Sequence, residues 1–200
     1  MTRWYSEKKR EPFYKAAKRV GYRARSAFKL IQIQEKFRIL KEGSTVIDLG
    51  AAPGGWSQVA KEIVGEKGTV IGIDLLPIRS LGSVIFFEGD MTEEASLKEI
   101  ENVLRDKKAD AVISDMSPDI SGNYSVDQAR SVYLCEQALK TAEYFLRPDG
   151  NFACKVFSGE DLQSFLNKVK RKFGSVNCFS PPASRKSSSE IYVIAKLFRK

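Results

Sequence analysis

Histidine is absent from the chain. Its absence excludes the Ser-His-Asp triad, the Cys-His pair and every zinc site that uses a histidine ligand. Any general base must therefore be a lysine, an aspartate, a glutamate, a tyrosine or a cysteine.

Cysteine is scarce and long apolar runs are missing. The three cysteines, Cys135, Cys154 and Cys178, are odd in number and widely spaced, so neither a disulfide framework nor a Cys-x-x-Cys metal site is predicted. No apolar run approaches the ~20 residues of a membrane span, and the charged amino terminus lacks the apolar core of a signal peptide. We therefore expect a soluble protein of the reducing cytoplasm, with no metal and no membrane contact.

Positive charge is in excess, but it is unevenly distributed. The 200 residues form one domain's length with a net charge of +8. Residues 1–41 carry a net +10, residues 42–167 a net −10 and residues 168–200 a net +8. Because a ligand responds to the local field, the basic ends predict an anionic partner and the acidic middle favours a cationic ligand.

From residue 45 onward, strand-like runs alternate with amphipathic helices. Strands are predicted at Thr45–Leu49, Thr69–Leu75, Val84–Glu88, Ala109–Asp115, Asn151–Phe157, Ser175–Phe179 and Glu190–Phe198. Helices are predicted at Ser26–Phe37, Trp56–Val64, Ala95–Arg105, Val126–Leu146 and Glu160–Phe173, with a turn at residues 147–150. Short, continuously apolar strands are typical of a parallel sheet covered on both faces, which predicts a doubly wound α/β domain.

Two segments break the alternation. Residues 76–83 are too short for a helix, and a Pro/Ser-rich loop separates the last two strands. That loop permits a terminal antiparallel hairpin.

A glycine-rich turn at residues 50–55 follows the first strand and precedes a helix. Such a turn lets backbone approach a ligand closely at the edge of a parallel sheet, although its glycines can also serve packing alone. A dinucleotide motif would place glycine at positions 50, 52 and 55, and Ala52 and Pro53 interrupt that spacing. Asp74 ends the next strand, where it can bind the ribose diol of NAD or of S-adenosylmethionine.

Asp90 follows the third strand and separates these cofactors. A carboxylate there can meet the amine of an adenine, so three successive strand ends offer the glycine-rich backbone, Asp74 and Asp90. This is the organisation of an S-adenosylmethionine site. The alternative for Asp90 is a turn cap before Thr92.

Lys155 lies inside an apolar strand, where an unpaired lysine is rare. Asp115 ends the neighbouring strand and Glu190 begins the last one, so both can converge on Lys155 if the last strand is antiparallel. Lys29 can join them from the helix at residues 26–37. The alternatives are a Lys155 that extends its amine to solvent and a solvated Lys29.

These four residues suit methylation of a hydroxyl, which requires a base to remove its proton. We assign Lys155 as the base, Lys29 as the neighbour that favours its neutral form, and Asp115 and Glu190 as orienting groups. Amino-directed methyltransferases carry a D/N-P-P-Y/F turn after strand four, whereas residues 115–118 read DMSP.

Residues 1–41, called the basic head below, interleave cationic and aromatic side chains. Its aromatic residues within positions 3–29 are Trp4, Tyr5, Phe13, Tyr14, Tyr22 and Phe28. Cations neutralise phosphates and aromatic rings stack on unpaired bases, so this mixture predicts RNA contact. The alternative is a helix whose aromatic residues dock on the domain. Four residues can extend the basic surface from the tail: Arg171, Lys172, Arg185 and Lys186.

Three features resemble the FtsJ/RrmJ family of RNA ribose 2′-O-methyltransferases. They are the string DLGAAPGGWSQ at residues 48–58, the segment GYRARSAFKL at residues 21–30, and the series Lys29, Asp115, Lys155 and Glu190. The resemblance implies a Rossmann-like class I fold with a seven-stranded, mostly parallel sheet and an antiparallel last strand. It implies S-adenosylmethionine contacts at Gly54, Trp56, Asp74, Asp90 and Asp115, and a Lys29-Asp115-Lys155-Glu190 catalytic tetrad with Lys155 as proton acceptor.

The resemblance also sets the expected substrate and organisation. Family members modify a uridine of large-subunit (23S-type) ribosomal RNA, the tRNA anticodon loop or mRNA caps, and the short chain most resembles the ribosomal enzyme. We expect residues 1–41 to contact RNA and pack on a methyltransferase domain at 42–200, with a monomer favoured. A tRNA methyltransferase, a non-catalytic ribosome-assembly factor and an NAD-dependent oxidoreductase are the alternatives.

Overall fold

The computed structural model describes residues 12–185 and 188–200. Trp4, Tyr5 and Lys186, three of the candidate RNA contacts, lie outside the described residues.

Helices and strands alternate through the described chain. The helices are α1 (Pro12–Val20), α2 (Ala27–Phe37), α3 (Gly55–Val64), α4 (Glu94–Leu104), α5 (Tyr124–Phe145) and α6 (Leu162–Lys172). The strands are β1 (Thr45–Leu49), β2 (Thr69–Asp74), β3 (Ile85–Glu88), β4 (Ala109–Ser114), β5 (Leu146–Phe157), β6 (Phe173–Phe179) and β7 (Glu190–Phe198).

The seven strands form one sheet in the order β3-β2-β1-β4-β5-β7-β6. Strands β1 to β5 pair in parallel, whereas β7 is antiparallel to both β5 and β6. The predicted fold class, the reversed last strand and the terminal hairpin are confirmed. The reversal brings the start of β7 to the edge at which the parallel strands end.

Helices cover both faces of the sheet. On one face, Leu30 and Ile33 of α2 pack with Val59 of α3 over the central strands. On the other, α4, α5 and α6 bury residues such as Ile100 and Phe165. Burial on both sides explains why the central strands are apolar at successive positions rather than alternating.

The largest difference from the predicted boundaries is at β5. It begins at Leu146 rather than Asn151, because Leu146 pairs with Ala109 before a shift in register brings Asn151 opposite Ala111. The predicted turn at residues 147–150 is therefore an irregularity within the strand, and Asp149 takes a φ of 63° there. Residues 76–83 contain no helix, as predicted.

The cysteine thiols are all free, with Cys135 and Cys154 buried and Cys178 exposed. Within residues 12–185 and 188–200, no cluster of three or more acidic or cysteine side chains is placed to hold a metal ion. No helix in the same ranges has the length and apolarity to cross a membrane.

Candidate active site

The structure brings Lys29, Asp115, Lys155 and Glu190 together at the carboxyl end of the sheet. Lys29 Nζ lies 2.8 Å from Glu190 Oε2 and 3.9 Å from Asp115 Oδ1. Lys155 Nζ lies 3.3 Å from Asp115 Oδ1 and donates a 2.7 Å hydrogen bond to the Asp115 carbonyl oxygen. The convergence predicted from the sequence is confirmed as geometry.

Strand register explains why these side chains meet. In the β5–β7 pair, Lys155 lies opposite Tyr192, and Phe157, the last residue of β5, lies opposite Glu190. Asp115 directly follows β4, which is the other neighbour of β5. Lys29 approaches from α2, and its side chain is buried rather than solvated.

The four charges are removed from water to different degrees. The side chains of Lys29 and Lys155 are each 5% exposed, whereas those of Asp115 and Glu190 are 15% and 17% exposed. Two buried ammonium groups therefore lie against two carboxylates, which satisfies the requirement that buried charges be paired. The carboxylates form the more accessible side of the cluster.

Tyr192 is a further member of the cluster that sequence reasoning missed. Its hydroxyl donates a 2.5 Å hydrogen bond to Asp115 Oδ1, and its ring stacks on Trp56 at 5.6 Å between centroids. Burial, reinforced by the charges of Asp115 and Glu190, raises the pKa of Tyr192 well above its usual value. Tyr192 therefore remains a protonated donor. The alternation of β7 could have revealed it, since Tyr192 lies two residues after Glu190 on the same face.

A cavity of about 440 Å³ adjoins the cluster at the same edge of the sheet. Asp74, Asp90 and Asp115 all line it, with Met116 and Tyr133 among the apolar and aromatic lining. Asp115 thus belongs to both the cavity and the charged cluster. Met116 and Tyr133 were not predicted, because nothing in the sequence around them distinguishes them from ordinary core or surface residues.

Asp74 organises the ends of β1 and β2. Its Oδ2 accepts a 2.9 Å hydrogen bond from the Ala52 amide and its Oδ1 a 2.9 Å bond from the Leu76 amide. Each carboxylate oxygen can accept a second hydrogen bond from a ligand hydroxyl. The pattern therefore both fixes the glycine-rich turn and leaves acceptor capacity at the cavity.

Asp90 caps a turn and also lines the cavity. Its Oδ1 accepts hydrogen bonds from the Thr92 amide at 2.8 Å and the Thr92 hydroxyl at 2.7 Å, as a turn cap does. The same side chain lines the cavity. A capping role and a ligand-binding role are therefore compatible at this position.

Gly54 and Trp56 are absent from the lining of this cavity. Trp56 is 2% exposed, and its indole nitrogen donates to the Ser26 carbonyl at 2.9 Å. Gly54 precedes α3 with a φ of 103°, a left-handed conformation that favours glycine. Their cofactor contacts stay predictions, and the contacts of Trp56 link the turn to α2 and Tyr192.

Asp48 is fully buried beneath the turn. Its Oδ2 accepts a 2.6 Å hydrogen bond from the Ser57 hydroxyl, whereas its Oδ1 has no hydrogen-bond partner among the described residues. Burial, with smaller contributions from Asp115 and Asp74, raises the pKa of Asp48 to about 7.

Aromatic residues of the basic head pack on one another. Phe28 meets Phe13 at 5.6 Å and Tyr22 at 5.7 Å between centroids, and the Tyr22 hydroxyl donates to Glu62. These three rings are half-buried. Their geometry is that of the docking alternative, whereas the basic side chains of α1 at Lys15 and Arg19 are exposed.

The basic residues of the tail (residues 168–200) also differ in how far their charges are available to a ligand. Lys172 is ion-paired with Glu143 at 2.7 Å, so its charge is partly neutralised on the surface. Arg171 is exposed and donates to the carbonyl of Asn167 within its own helix.

Known proteins resemble this chain over most of its length. Residues 22–198 match the family described as FtsJ-like methyltransferase. Ribosomal RNA large subunit methyltransferase E of Methanocaldococcus jannaschii is 48% identical over 200 residues, covering 98% of this chain and 82% of the relative. The protein of the same name from Acinetobacter baumannii is 47% identical over 193 residues, covering 96% and 89%.

The fold comparison agrees. A crystal structure of a protein assigned as a ribosomal RNA methyltransferase from Plasmodium falciparum superposes with a TM-score of 0.82 at 29% sequence identity, covering 88% of this chain and 98% of that one. The extent of the family match and the identity of the relatives show that this chain belongs to the FtsJ-like methyltransferase family.

Proposed function

We propose that this protein transfers a methyl group from S-adenosylmethionine to a ribose 2′-hydroxyl of RNA, and that its target is a uridine of large-subunit (23S-type) ribosomal RNA. The observation that carries the proposal is the buried Lys29-Asp115-Lys155-Glu190 cluster beside a cavity lined by Asp74, Asp90 and Asp115. The relatives named as ribosomal RNA large subunit methyltransferase E support the choice of substrate.

The cavity suits S-adenosylmethionine on the chemistry of its lining. Three carboxylates line the cavity, and S-adenosylmethionine carries a cationic sulfonium, a ribose diol and an adenine amine that carboxylates can bind. Asp74 would accept hydrogen bonds from the ribose diol, and Asp90 would accept one from the adenine amine. Asp115 would lie between the cofactor and the charged cluster. When bound, this cofactor supplies an electrophilic methyl group.

Lys155 is proposed to remove the proton of the target hydroxyl. In its neutral form the amine keeps two N–H groups, enough for its contacts with the carbonyl and carboxylate of Asp115, and its lone pair can accept the proton. Lys29, held by Glu190, contacts the same carboxylate oxygen of Asp115 as Lys155 does and so helps to fix that carboxylate beside the base. Glu190 and Asp115 orient the two amines and the ribose.

The basic segment at residues 1–41 is proposed to bind the phosphates around that ribose. Exposed Lys15 and Arg19 in α1 support this role among the described residues. We further propose that the protein acts as a monomer in the cytoplasm, on ribosomal RNA within the large subunit. Its three free thiols are consistent with a reducing compartment.

The decisive experiment supplies the protein with methyl-labelled S-adenosylmethionine and, separately, intact large subunits, free ribosomal RNA or tRNA, and then maps the labelled nucleotide. We expect the label on the ribose of one uridine of large-subunit RNA. Label on tRNA alone would overturn the substrate. Binding of RNA with no transfer to any of the three would favour an assembly factor.

A further inference from the structure

Three aromatic side chains are strongly exposed in the described part of the chain: Tyr124 at 60%, Tyr133 at 56% and Tyr144 at 53%. Tyr133 lines the cavity at the carboxyl end of the sheet. Tyr144 lies near the other end of the sheet, where Lys108, the residue before β4, contacts its ring and its main-chain oxygen. Tyr124 is the first residue of α5 and belongs to neither the tetrad nor the lining of the cavity.

Tyr124 is hydrogen-bonded to the segment of the chain between Lys155 and Glu190. Its hydroxyl donates to the carbonyl oxygen of Ser158, which lies three residues after Lys155. The Ser158 amide in turn donates a 2.9 Å hydrogen bond to the carbonyl of Ser189, the neighbour of Glu190. The Tyr124 ring therefore lies at the rim of the charged cluster, with most of its surface open to solvent.

The backbone that carries Tyr124 is also fixed. Asp127 accepts hydrogen bonds from the Ser121 amide at 2.8 Å, the Ser121 hydroxyl at 2.7 Å and the Gly122 amide at 3.2 Å. Asn123 caps α5 by accepting from the amides of Ser125 and Val126. An aromatic face that is held in advance loses little conformational entropy when a ligand stacks on it.

Two apolar side chains close to Tyr124 along the chain are also exposed. Ile120, which precedes α5, is 65% exposed, and Val126, in the first turn of α5, is 39% exposed. The neighbouring tetrad is charged and suits a ribose and its phosphates rather than a base. By contrast, the described aromatic residues of the basic head, Phe13, Tyr22 and Phe28, already pack against one another.

We propose that Tyr124 is a stacking platform for an unpaired RNA base at or next to the methylated nucleotide. This inference rests on the proposed function, since it places the base of the same substrate whose ribose meets Lys155. Stacking on an aromatic ring is tolerant of base identity, because every base presents a π face. Tyr124 therefore contributes to binding and positioning of single-stranded RNA and leaves the choice of base to other contacts.

Three variants test the platform. Tyr124→Leu keeps an apolar side chain but removes the aromatic face, whereas Tyr124→Phe keeps the face and removes the bond to Ser158. Tyr144→Leu is the matched control, because Tyr144 is similarly exposed and its hydroxyl is also bonded, to Glu101. Each is compared with the unmodified protein for its affinity for S-adenosylmethionine and for RNA, and for single-turnover methylation.

The RNA probes are short fragments that carry the target uridine and a 2-aminopurine at one flanking position, whose fluorescence is quenched by stacking. We expect Tyr124→Leu to weaken RNA binding about tenfold and to abolish the quenching at one position, with unchanged affinity for S-adenosylmethionine. Tyr124→Phe should retain the quenching, and Tyr144→Leu should match the unmodified protein.

Equal RNA affinity and equal quenching in Tyr124→Leu and the unmodified protein would overturn the platform while leaving the proposed function intact. Weaker binding of Tyr124→Leu to assembled subunits but not to free RNA would also overturn it, because the ring would then contact a ribosomal protein. Failure of the unmodified protein to methylate any RNA would instead count against the proposed function.

Discussion

Both ends of the parallel sheet carry a cavity, and the two differ in what their charged residues do. The amino-end cavity measures about 580 Å³ and the carboxyl-end cavity about 440 Å³. At the amino end, Asp110 accepts hydrogen bonds from Arg147 Nε and the Thr45 amide, both at 2.7 Å, so it ties strands and loops together. The Arg147 side chain is 47% exposed there.

At the carboxyl end, two buried lysines and two partly buried carboxylates converge from four separated segments of the chain. Lys29 and Lys155 are almost removed from solvent, and Asp115 joins them to the cavity. Keeping such charges out of water costs free energy that pairing offsets only in part, whereas half-exposed surface pairs cost little. Cavity volume therefore does not distinguish the two ends, whereas the convergence of charged side chains marks the carboxyl end as the candidate active site.

The largest expected difference between the two ends concerns catalysis. Replacing Lys155 by alanine should lower the rate of methyl transfer at saturating substrates by a factor of about 100 or more, because a general base typically contributes that much. Affinity for S-adenosylmethionine should change little, as measured by calorimetry.

The matched control for Lys155 is Lys196→Ala. Lys196 also lies on a strand of the sheet and donates to a backbone carbonyl, that of Phe37, but at the amino end. Its replacement should leave the rate unchanged. Substantial activity in Lys155→Ala, with a thermal stability close to that of the control, would remove Lys155 from the role of base.

The second expected effect concerns the cofactor. Asp74→Asn should weaken S-adenosylmethionine binding about tenfold, since an amide can replace only one of the two oxygens that accept hydrogen bonds. Asp110→Asn is the control. Asp110 also accepts a hydrogen bond from a backbone amide, that of Thr45 at the start of β1, but it lies at the amino end of the sheet. Equal affinities in the two variants would separate Asp74 from the cofactor.

The sequence predicted the residues of the candidate site better than it predicted the boundaries of the strands. Period and polarity placed Lys155 and Asp115 at one edge of the sheet. Glu190 joins them only if the last strand is antiparallel, which the resemblance to the family implied and the pairing of β5 with β7 confirms. The turn alone left NAD open, because Asp74 serves the ribose of either cofactor. Asp90 favoured S-adenosylmethionine over NAD in the sequence, and the match of residues 22–198 to the FtsJ-like methyltransferase family agrees with that choice.

Other features depend on contacts that a single sequence does not display. The alternation of β7 puts Tyr192 on the same face as Glu190, but its hydrogen bond to Asp115 depends on the register in which β5 and β7 pair. Leu146 reads as the end of a helix, yet pairing with Ala109 draws it into β5. The aromatic residues of the head could serve either RNA or packing, and only the folded contacts show Phe28 between Phe13 and Tyr22.

The third expected effect concerns the basic head. Exposed Lys15 and Arg19 lie on α1, and replacing both by alanine should weaken RNA binding several-fold at moderate salt. The slope of log K against log salt should also become shallower by about 0.7 to 0.9 for each phosphate that the variant no longer neutralises. Filter binding over a salt series measures both quantities.

Lys107→Ala is the control for the head, because Lys107 is an exposed lysine next to the amino end of β4. It should leave the salt slope unchanged. An unmodified protein whose RNA affinity is independent of salt would show that phosphates are not what the head binds.

The smallest expected effect concerns stability and contrasts Asp48 with the well-partnered Asp110. Because burial raises the pKa of Asp48 to about 7 from its ordinary value of 3.8, the folded protein retains a proton that the unfolded chain releases. The free energy of unfolding should therefore fall as pH rises from about 4 to about 7, by at most about 1.4 kcal/mol per pH unit from this group, and then level off.

Asp48→Asn removes this titration while keeping an oxygen that can accept from Ser57. Urea unfolding at a series of pH values should show that the variant gains stability relative to the unmodified protein between about pH 4 and about pH 7, and that the difference is constant above that range. Asp110→Asn should show no such gain. A difference between Asp48→Asn and the unmodified protein that does not change with pH would mean that Asp48 is ionised in the folded state throughout this range, and that its buried charge is stabilised by contacts beyond the bond from Ser57.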